Sequence, residues 1–180
     1  MKTIVYVATS LDGYISGTHG ELNWLIEYPN PEQSDFGFAD LMNRVDAILM
    51  GRKTFEFVCK MDLWPYTKPV YVLSNTLTET PQHLSEKAFL IRPNSEHVAQ
   101  SLLDSLQAQG ISTLYIDGGQ LVHTFIKENR VDEWVITRVP MILGSGIPLF
   151  PHLRQPIHLK HIKTETFSNG LTKSTYQKEV

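Results

Sequence analysis

The chain has 180 residues, of which 42% are hydrophobic and 19% are charged, and its formal net charge is −3 at pH 7. This apolar fraction excludes a disordered chain, and the absence of a Lys/Arg cluster argues against a nucleic-acid-binding protein. Because a chain of this length can bury a substantial core, we expect a single domain over residues 1–180.

Two features of the sequence bear on its compartment. No apolar run reaches the roughly 20 residues needed to cross a bilayer, and the N-terminal residues lead into a predicted strand without a signal-peptide pattern. Cys59 is the single cysteine, so no internal disulfide can form. The sequence therefore predicts a cytoplasmic protein with no membrane partner.

Short β-branched runs alternate with helical patterns, which predicts an α/β fold. Strands are predicted at residues 3–8, 47–50, 69–73, 88–91, 113–116 and 131–139. Helices are predicted to begin near Ser34 and Asp35, after Gly51, at Asn94 or Ser95, and just before Leu121. Two last strands, 157–162 and 171–177, flank Asn169-Gly170, the strongest short signal for a hairpin. The pattern indicates five strands with helical crossovers and then an antiparallel end.

Three strand ends carry residues suited to phosphate groups, and ligands of open α/β sheets bind beyond the carboxyl ends of the strands. Arginine presents a planar fork that matches phosphate oxygens, and paired glycines let a backbone approach a pyrophosphate closely. The three ends are Gly51-Arg52-Lys53-Thr54, Leu73-Ser74-Asn75 and Asp117-Gly118-Gly119-Gln120.

Each strand end also has a plain structural interpretation. Arg52 and Lys53 can form a solvated helix start, Ser74 and Asn75 can serve turn geometry alone, and a glycine after a strand is usually a turn. The three ends together favour a dinucleotide cradle, although no Gly-x-Gly-x-x-Gly motif opens a helix here.

Five segments follow one another along the chain: Ser10-Leu11-Asp12-Gly13-Tyr14-Ile15, Met50-Gly51-Arg52-Lys53-Thr54-Phe55-Glu56, Leu73-Ser74-Asn75, Asp117-Gly118-Gly119-Gln120 and Pro140-Met141-Ile142-Leu143-Gly144-Ser145-Gly146. This order resembles the dihydrofolate reductase superfamily, most closely the branch similar to the C-terminal reductase domain of bacterial riboflavin biosynthesis proteins. The resemblance spans essentially the whole chain. It implies a three-layer fold around a mostly parallel, twisted sheet of about eight strands with a C-terminal antiparallel hairpin.

The resemblance also implies an oxidoreductase that uses NADPH, with an activity similar to 5-amino-6-(5-phosphoribosylamino)uracil reductase or dihydrofolate reductase. It assigns the cofactor to residues already singled out at the strand ends. These are Gly51, Arg52, Lys53 and Thr54 at the adenosine-side phosphates, Leu73, Ser74 and Asn75 near the 2′-phosphate, Gly118, Gly119, Gln120 and Leu121 along the pyrophosphate, and Ala8 and Ile15 near the nicotinamide.

On the substrate side, the resemblance points to two carboxylates and a tryptophan. Asp35 matches the acidic residue of the first helix in folate-reducing relatives, where an apolar pocket would raise its pKa and suit proton donation. Asp12 faces the substrate in riboflavin-type relatives, and Trp24 matches a tryptophan in the mobile first loop of folate-reducing relatives. The structural alternatives are a helix N-cap for Asp35 and a simple turn with Gly13 for Asp12.

The chain departs from riboflavin-type relatives at Tyr14, where they usually carry a lysine, and it lacks the zinc signature of their deaminase domain. His158 and His161 point to opposite faces of a predicted strand, so no metal site is predicted. We predict an NADPH-dependent reductase of a small heterocyclic or ribosyl-phosphate substrate, and by analogy a homodimer. The alternatives are a nucleotide-binding module on the same fold without turnover, or a purely structural protein.

Overall fold

A computed structural model of the protein describes residues 1–93 and 95–179. Ten strands and five helices make up the fold. The strands are β1 (Lys2–Thr9), β2 (Tyr14–Ser16), β3 (Ala47–Gly51), β4 (Val70–Leu73), β5 (Ala88–Ile91), β6 (Thr113–Asp117), β7 (Glu133–Arg138), β8 (Ile147–Pro148), β9 (Leu159–Thr166) and β10 (Thr172–Lys178). The helices are α1 (Asn23–Ile26), α2 (Phe38–Arg44), α3 (Arg52–Val58), α4 (Val98–Gln107) and α5 (Gly119–Lys127), with a 3₁₀ turn at Gln82–Leu84.

Eight strands form one sheet in the order β5-β4-β3-β6-β1-β7-β10-β9. The strands from β5 to β7 in this order are all parallel, whereas β10 runs antiparallel to both β7 and β9. The predicted mostly parallel sheet with a C-terminal hairpin is confirmed. The parallel part has six strands, one more than the crossover pattern indicates, because β7 also runs parallel to its neighbour β1.

Helices cover both faces of the sheet, which explains why its strands are continuous apolar runs. On one face, α2 and α3 contribute Leu41, Met42, Phe55 and Val58 to a core cluster. On the other face, α4 and α5 bury Ala99, Leu102, Leu106, Leu121, Val122 and Phe125. The central strand β3 is buried from Ala47 to Met50. This three-layer arrangement leaves the carboxyl ends of the strands as the edge where a ligand can bind.

Helix α2 begins at Phe38, later than the start predicted near Ser34. The reason is local: Asp35 accepts hydrogen bonds from the backbone N–H groups of Gly37 and Ala39, at 2.8 and 2.9 Å, and Gly37 adopts a φ of +89°. The Asp35 side chain therefore bonds the start of α2 from two positions before Gly37, the residue that immediately precedes the helix.

Helix α4 begins at Val98, so the predicted start at Ser95 is wrong, while Asn94 lies outside the described residues. The sequence also gives no signal for β2, β8 or α1, which have only two to four residues each. Across residues 1–93 and 95–179, no helix has the length and apolar character needed to cross a membrane.

Candidate active site

The carboxyl ends of four neighbouring strands lie in register at one edge of the sheet. Asp117 of β6 pairs with Met50 of β3, and the next residue of β3, Gly51, pairs with Leu73 of β4. Leu73 pairs in turn with Ile91 of β5. All three predicted strand-end motifs therefore meet along the same edge.

Close packing around Gly118 and Gly119 leaves no room for larger residues. A Cβ atom at Gly118, where φ is +92°, would lie 2.5 Å from Oγ1 of Thr54. A Cβ atom at Gly119 would lie 2.6 Å from Cδ1 of Ile15. The structure thus brings Thr54, Ile15 and the glycine pair together, and only glycines fit this position.

The loop after β4 is held by its own hydrogen bonds. The Oγ atom of buried Ser74 accepts from the N–H groups of Thr76 and Leu77, at 3.1 and 2.9 Å. The Ser74 hydroxyl therefore closes a turn after β4, which agrees with the structural interpretation of this segment. Asn75 is exposed beside it.

The remaining predicted cofactor residues differ in their exposure to solvent. Arg52 is exposed and forms an ion pair with Glu56 one turn along α3, at 2.7 Å. Leu121 is 5% exposed and packs into the core, so it could line a ligand only through its backbone. Of the others, Lys53 and Gln120 are exposed and Ala8 is half-buried.

Asp12 connects two loops. Its carboxylate accepts from the Ser10 hydroxyl at 2.6 Å and from the N–H groups of Leu143 and Gly144 at 3.1 and 2.8 Å. These bonds, the one from Ser10 above all, lower the pKa of Asp12. The side chain is thus an ionised acceptor that ties residues 10–13 to residues 143–144.

Asp35 is exposed, and the expected rise in its pKa is wrong. The backbone N–H groups of Ala39 and Gly37 bond its carboxylate and lower the pKa, because hydrogen bonds to the charged form stabilise it. The N-cap interpretation accounts for this geometry.

Asp117 has the raised pKa that was expected of Asp35, although its sequence context predicts only that it belongs to the strand-end segment Asp117-Gly118-Gly119-Gln120. Its Oδ2 atom accepts a hydrogen bond from the Tyr66 hydroxyl at 3.1 Å. Desolvation raises the pKa of Asp117, and the bonds from Tyr66, the Gly118 N–H and Tyr115 only partly offset this rise. A carboxyl group that ends a buried strand just before a glycine pair is the signal that could have identified it.

Aromatic rings pack around Tyr66, the residue whose hydroxyl donates to this carboxyl group. The Tyr66 ring lies 5.3 Å from Trp64 and 6.1 Å from Phe38, and Phe38 lies 6.1 Å from Tyr6, measured between ring centroids. Tyr115 packs edge-on against Tyr6 at 6.4 Å. The site therefore combines apolar walls with one protonatable carboxyl group.

Three tryptophan N–H groups are left without a partner among the described residues, and one of them, that of Trp134, lies in the core. The buried Nε1 atoms of Trp24 and Trp64 have no hydrogen-bond partner among the described residues. Buried N–H groups are normally bonded, so each of these can donate to a ligand. Trp64 belongs to the aromatic wall, and Trp24 lies half-buried on α1.

A metal centre and a surface groove are the two other kinds of ligand site to compare with this edge of the sheet. Within the described part of the chain, no group of three or more His, Cys, Asp or Glu residues could hold a metal ion. A groove of about 870 Å³ lies beside α3 and contains none of the predicted site residues. Its lining includes Phe55, Glu56, Cys59, Lys60, Leu77, Glu79, Thr80, Pro81 and Gln82.

Comparison with known proteins identifies the family. The family model of the RibD C-terminal domain matches residues 1–173. The chain belongs to the RibD C-terminal domain family. It is 33% identical to the uncharacterized protein YyaP of Bacillus subtilis (strain 168), with 97% of this chain and 94% of that protein covered.

Solved structures of RibD C-terminal relatives share the fold. A Shewanella sp. PV-4 protein, provisionally named a riboflavin biosynthesis protein, is 46% identical over the full length of both chains, with a TM-score of 0.91. The Thermotoga maritima diaminohydroxyphosphoribosylaminopyrimidine deaminase/5-amino-6-(5-phosphoribosylamino)uracil reductase is 17% identical, with a TM-score of 0.75 over 99% of this chain and 56% of that one.

The fold extends to dihydrofolate reductase. The Enterococcus faecalis enzyme in complex with NADP(H) has a TM-score of 0.65 at 18% identity, over 99% of this chain and 97% of that one. The resemblance to the riboflavin-type branch is confirmed by the family match, and the likeness to dihydrofolate reductase is one of fold. At Tyr14, where a lysine is usual in that branch, this chain uses the side chain for packing: a Cβ atom at Gly146 would lie 3.2 Å from Cβ of Tyr14.

Proposed function

We propose that this protein is an NADPH-dependent reductase of a small heterocyclic or ribosyl-phosphate compound. The observation that carries the proposal is the position of Asp117. Its carboxyl group ends β6, lies against an aromatic wall and directly precedes the glycine pair Gly118-Gly119. A protonatable group is thus adjacent to the place where a dinucleotide would bind.

The residues at this edge fit a dinucleotide. Gly118 and Gly119 carry no side chain that would cover their backbone N–H groups, so a pyrophosphate could approach this backbone closely. The Cβ positions themselves are filled by Thr54 and Ile15, which fix the start of α5. Arg52, Lys53 and Thr54 would hold phosphate oxygens next to it. When bound, the reduced nicotinamide supplies a hydride, with Ala8 and Ile15 beside the ring.

The chain's own contribution is a proton and an ordered, dry pocket. Asp117 would hold the proton that the reduced substrate takes up, and Tyr66 keeps the carboxyl group in place. Tyr6, Phe38 and Trp64 would exclude water and stack on a planar ring. We assign Asp35 and Asp12 to orienting the substrate, since both are ionised acceptors.

The substrate class is inferred from the relatives together with the aromatic wall. The Thermotoga enzyme is named for reduction of 5-amino-6-(5-phosphoribosylamino)uracil, and the Enterococcus enzyme for reduction of dihydrofolate. Both compounds contain a planar pyrimidine ring that suits the site lined by Tyr6, Phe38, Trp64 and Tyr66. These two compounds are therefore the first to test.

The test is consumption of NADPH, followed by the loss of reduced-nicotinamide absorbance with each compound. Turnover with either one, abolished in Asp117→Asn, supports the proposal. Saturable NADPH binding without turnover on a wider panel of pyrimidines and pterins would favour the alternative, a nucleotide-binding module on the same fold.

A further inference from the structure

A row of three side chains crosses the sheet on the face that α2 covers. Ala8 of β1 pairs with Thr137 of β7, which pairs in turn with Lys173 of β10. Tyr6, two positions before Ala8, lies on the same face, and its ring packs against Phe38 of α2 at 6.1 Å between centroids. The row therefore lies on the face where the proposed substrate would bind, and Lys173 is its cation.

The ammonium group of Lys173 is already bonded within the protein. Its Nζ atom donates to the carbonyl oxygen of Phe36 at 2.8 Å and lies 3.2 Å from Oε2 of Glu165. The ring of Phe167 covers it, with the centroid 5.4 Å from Nζ. Lys163 shares the Glu165 carboxylate, but its side chain is 60% exposed and is screened by solvent. Glu165 is thus the counter-charge of the buried lysine, which leaves Lys173 little to offer to a phosphate group.

The chain segment that carries the substrate-side carboxylates is acidic. Residues 10–43 contain no lysine or arginine and six exposed carboxylates, at Asp12, Glu21, Glu27, Glu32, Asp35 and Asp40. Hydrogen bonds lower the pKa of Asp12, Glu21 and Asp35, so these three groups are ionised at neutral pH. A dianion that approaches this side of the site therefore meets charges of its own sign.

The cations of the neighbouring elements are directed elsewhere. Arg138 alternates to the opposite face of β7, and Arg44 of α2 pairs with Glu133 at the other end of that strand. Lys60 lines the groove beside α3. In the proposed function, residues 52–53 bind the phosphates of the cofactor. These cations are therefore not placed to neutralise a phosphate group at the row.

We propose that the site takes an unphosphorylated heterocycle, neutral or cationic in the part that the site encloses, and that Glu165 sets this preference by neutralising Lys173. The inference rests on the proposed function and narrows its substrate class from heterocyclic or ribosyl-phosphate compounds to the former. A phosphate monoester placed here would lose water without gaining a counter-charge, which is unfavourable. Glu165 is thus a specificity-determining residue, although it lies on the edge strand β9.

The test compares matched pairs of ligands that differ only in a phosphate group. They are 5-amino-6-(ribosylamino)uracil with its 5′-phosphate, and a dihydropterin bearing a hydroxylated side chain with its monophosphate. Dissociation constants are measured by calorimetry at low ionic strength, and turnover is followed by oxidation of NADPH. We expect each phosphate ester to bind about tenfold more weakly than its parent compound, and kcat/KM to follow the same order.

Glu165→Gln removes the counter-charge of Lys173 at a side chain that is 42% exposed, so the variant is expected to fold. It should tighten binding of the phosphate esters about fivefold and change binding of the parent compounds less than about twofold. Glu86→Gln is the matched control, since it removes an exposed carboxylate just before β5, at the opposite end of the sheet, and should change neither. Added salt should reduce the discrimination in the unmodified protein, because it screens the exposed carboxylates.

The outcomes separate this inference from the reductase proposal. Equal or tighter binding of the phosphate esters by the unmodified protein would overturn the inference, and an unchanged preference in Glu165→Gln would overturn the role of Glu165. Preference for the parent compounds without oxidation of NADPH would support the inference and contradict the reductase proposal. Binding of neither form of either ring would overturn both.

Discussion

The hydroxyl group of Tyr66 lies 3.1 Å from Oδ2 of Asp117, and it links the segment after α3 to the end of β6. Burial raises the pKa of both groups. The charge of Asp117 and its hydrogen bond raise the pKa of Tyr66 further, whereas the bond from Tyr66 offsets the rise in the pKa of Asp117 only in part. The carboxyl group therefore keeps its proton to a higher pH than an exposed aspartate does. This is the property that a proton donor near neutral pH needs.

Replacing Asp117 with Asn keeps the shape and an acceptor for Tyr66 but removes the proton. We expect kcat to fall about 10²- to 10⁴-fold, the usual contribution of a general acid. In the unmodified enzyme the rate should decrease as pH rises through the raised pKa of Asp117, and this decrease should be absent from the residual activity of Asp117→Asn.

Asp35→Asn and Asp12→Asn are the matched controls, since their carboxylates are exposed and have lowered pKa values. Both are expected to keep the fall of the rate at high pH. If Asp35→Asn removes activity while Asp117→Asn retains it, the assignment of the proton donor is wrong.

Glu133 is expected to contribute stability that depends on pH. It is 2% exposed, and although burial alone would raise its pKa, bonds and charges from Lys2 and Arg44 outweigh this and lower it. A carboxylate with a lowered folded-state pKa stabilises the protein above the unfolded-state value, and this stability is lost as pH falls through the folded-state pKa. Glu133→Gln should cost about 1–3 kcal/mol at pH 7 by denaturant unfolding.

The pH dependence separates this effect from a packing defect. The difference between the unmodified protein and Glu133→Gln should shrink as the solution is acidified below pH 4.5, the ordinary pKa of a glutamate. Glu165→Gln is the control: its side chain is 42% exposed in a similar pair with two lysines, so less than about 1 kcal/mol is expected. A constant difference across pH would contradict the assigned role of the charge.

Gly118→Ala is expected to be more damaging than Gly110→Ala. Both glycines have positive φ angles, +92° and +85°, which an alanine adopts only with strain. Only at Gly118 does the new Cβ atom meet another residue, Thr54, while nothing lies within 4 Å at Gly110. Thermal melts should show the larger loss for Gly118→Ala, and adding Thr54→Ala should recover part of it; equal losses would contradict the close packing.

Lys173 stabilises an unusual turn in front of α2. Phe36 has a φ of +53°, and its carbonyl oxygen accepts from Lys173 Nζ at 2.8 Å and from the Tyr6 hydroxyl at 3.0 Å. Because Lys173 is 9% exposed, Lys173→Met should lower the free energy of unfolding by about 1–3 kcal/mol. Lys163→Met, at a side chain 60% exposed, is the control with little expected effect; equal effects would contradict this role.

The strands and their succession along the chain could be predicted because their signals are local. The apolar run at 88–91 matches β5 fully, and Asn169-Gly170 forms the turn between β9 and β10. The short pair of β2 and β8 could not be predicted, since it joins residues more than a hundred positions apart. Likewise, the start of α2 depends on which backbone groups Asp35 bonds, and spacing alone does not determine this.

The residues of the candidate site also divide into those that a local sequence signal predicts and those whose role depends on residues distant in the sequence. Glycines after strands mark the cofactor edge in the sequence, because their conformational role is local. The role of Asp117 depends on Tyr66, fifty-one positions earlier in the chain, and on the aromatic side chains around both.

The most direct test of the account is a titration of tryptophan emission with NADPH on the folded protein. Trp64 packs against Tyr66 in the candidate site, so we predict saturable quenching with sensitised emission from the reduced nicotinamide, weakened in Gly118→Ala. No saturation, on protein shown by circular dichroism to be folded, would contradict the cofactor site and the reductase function with it.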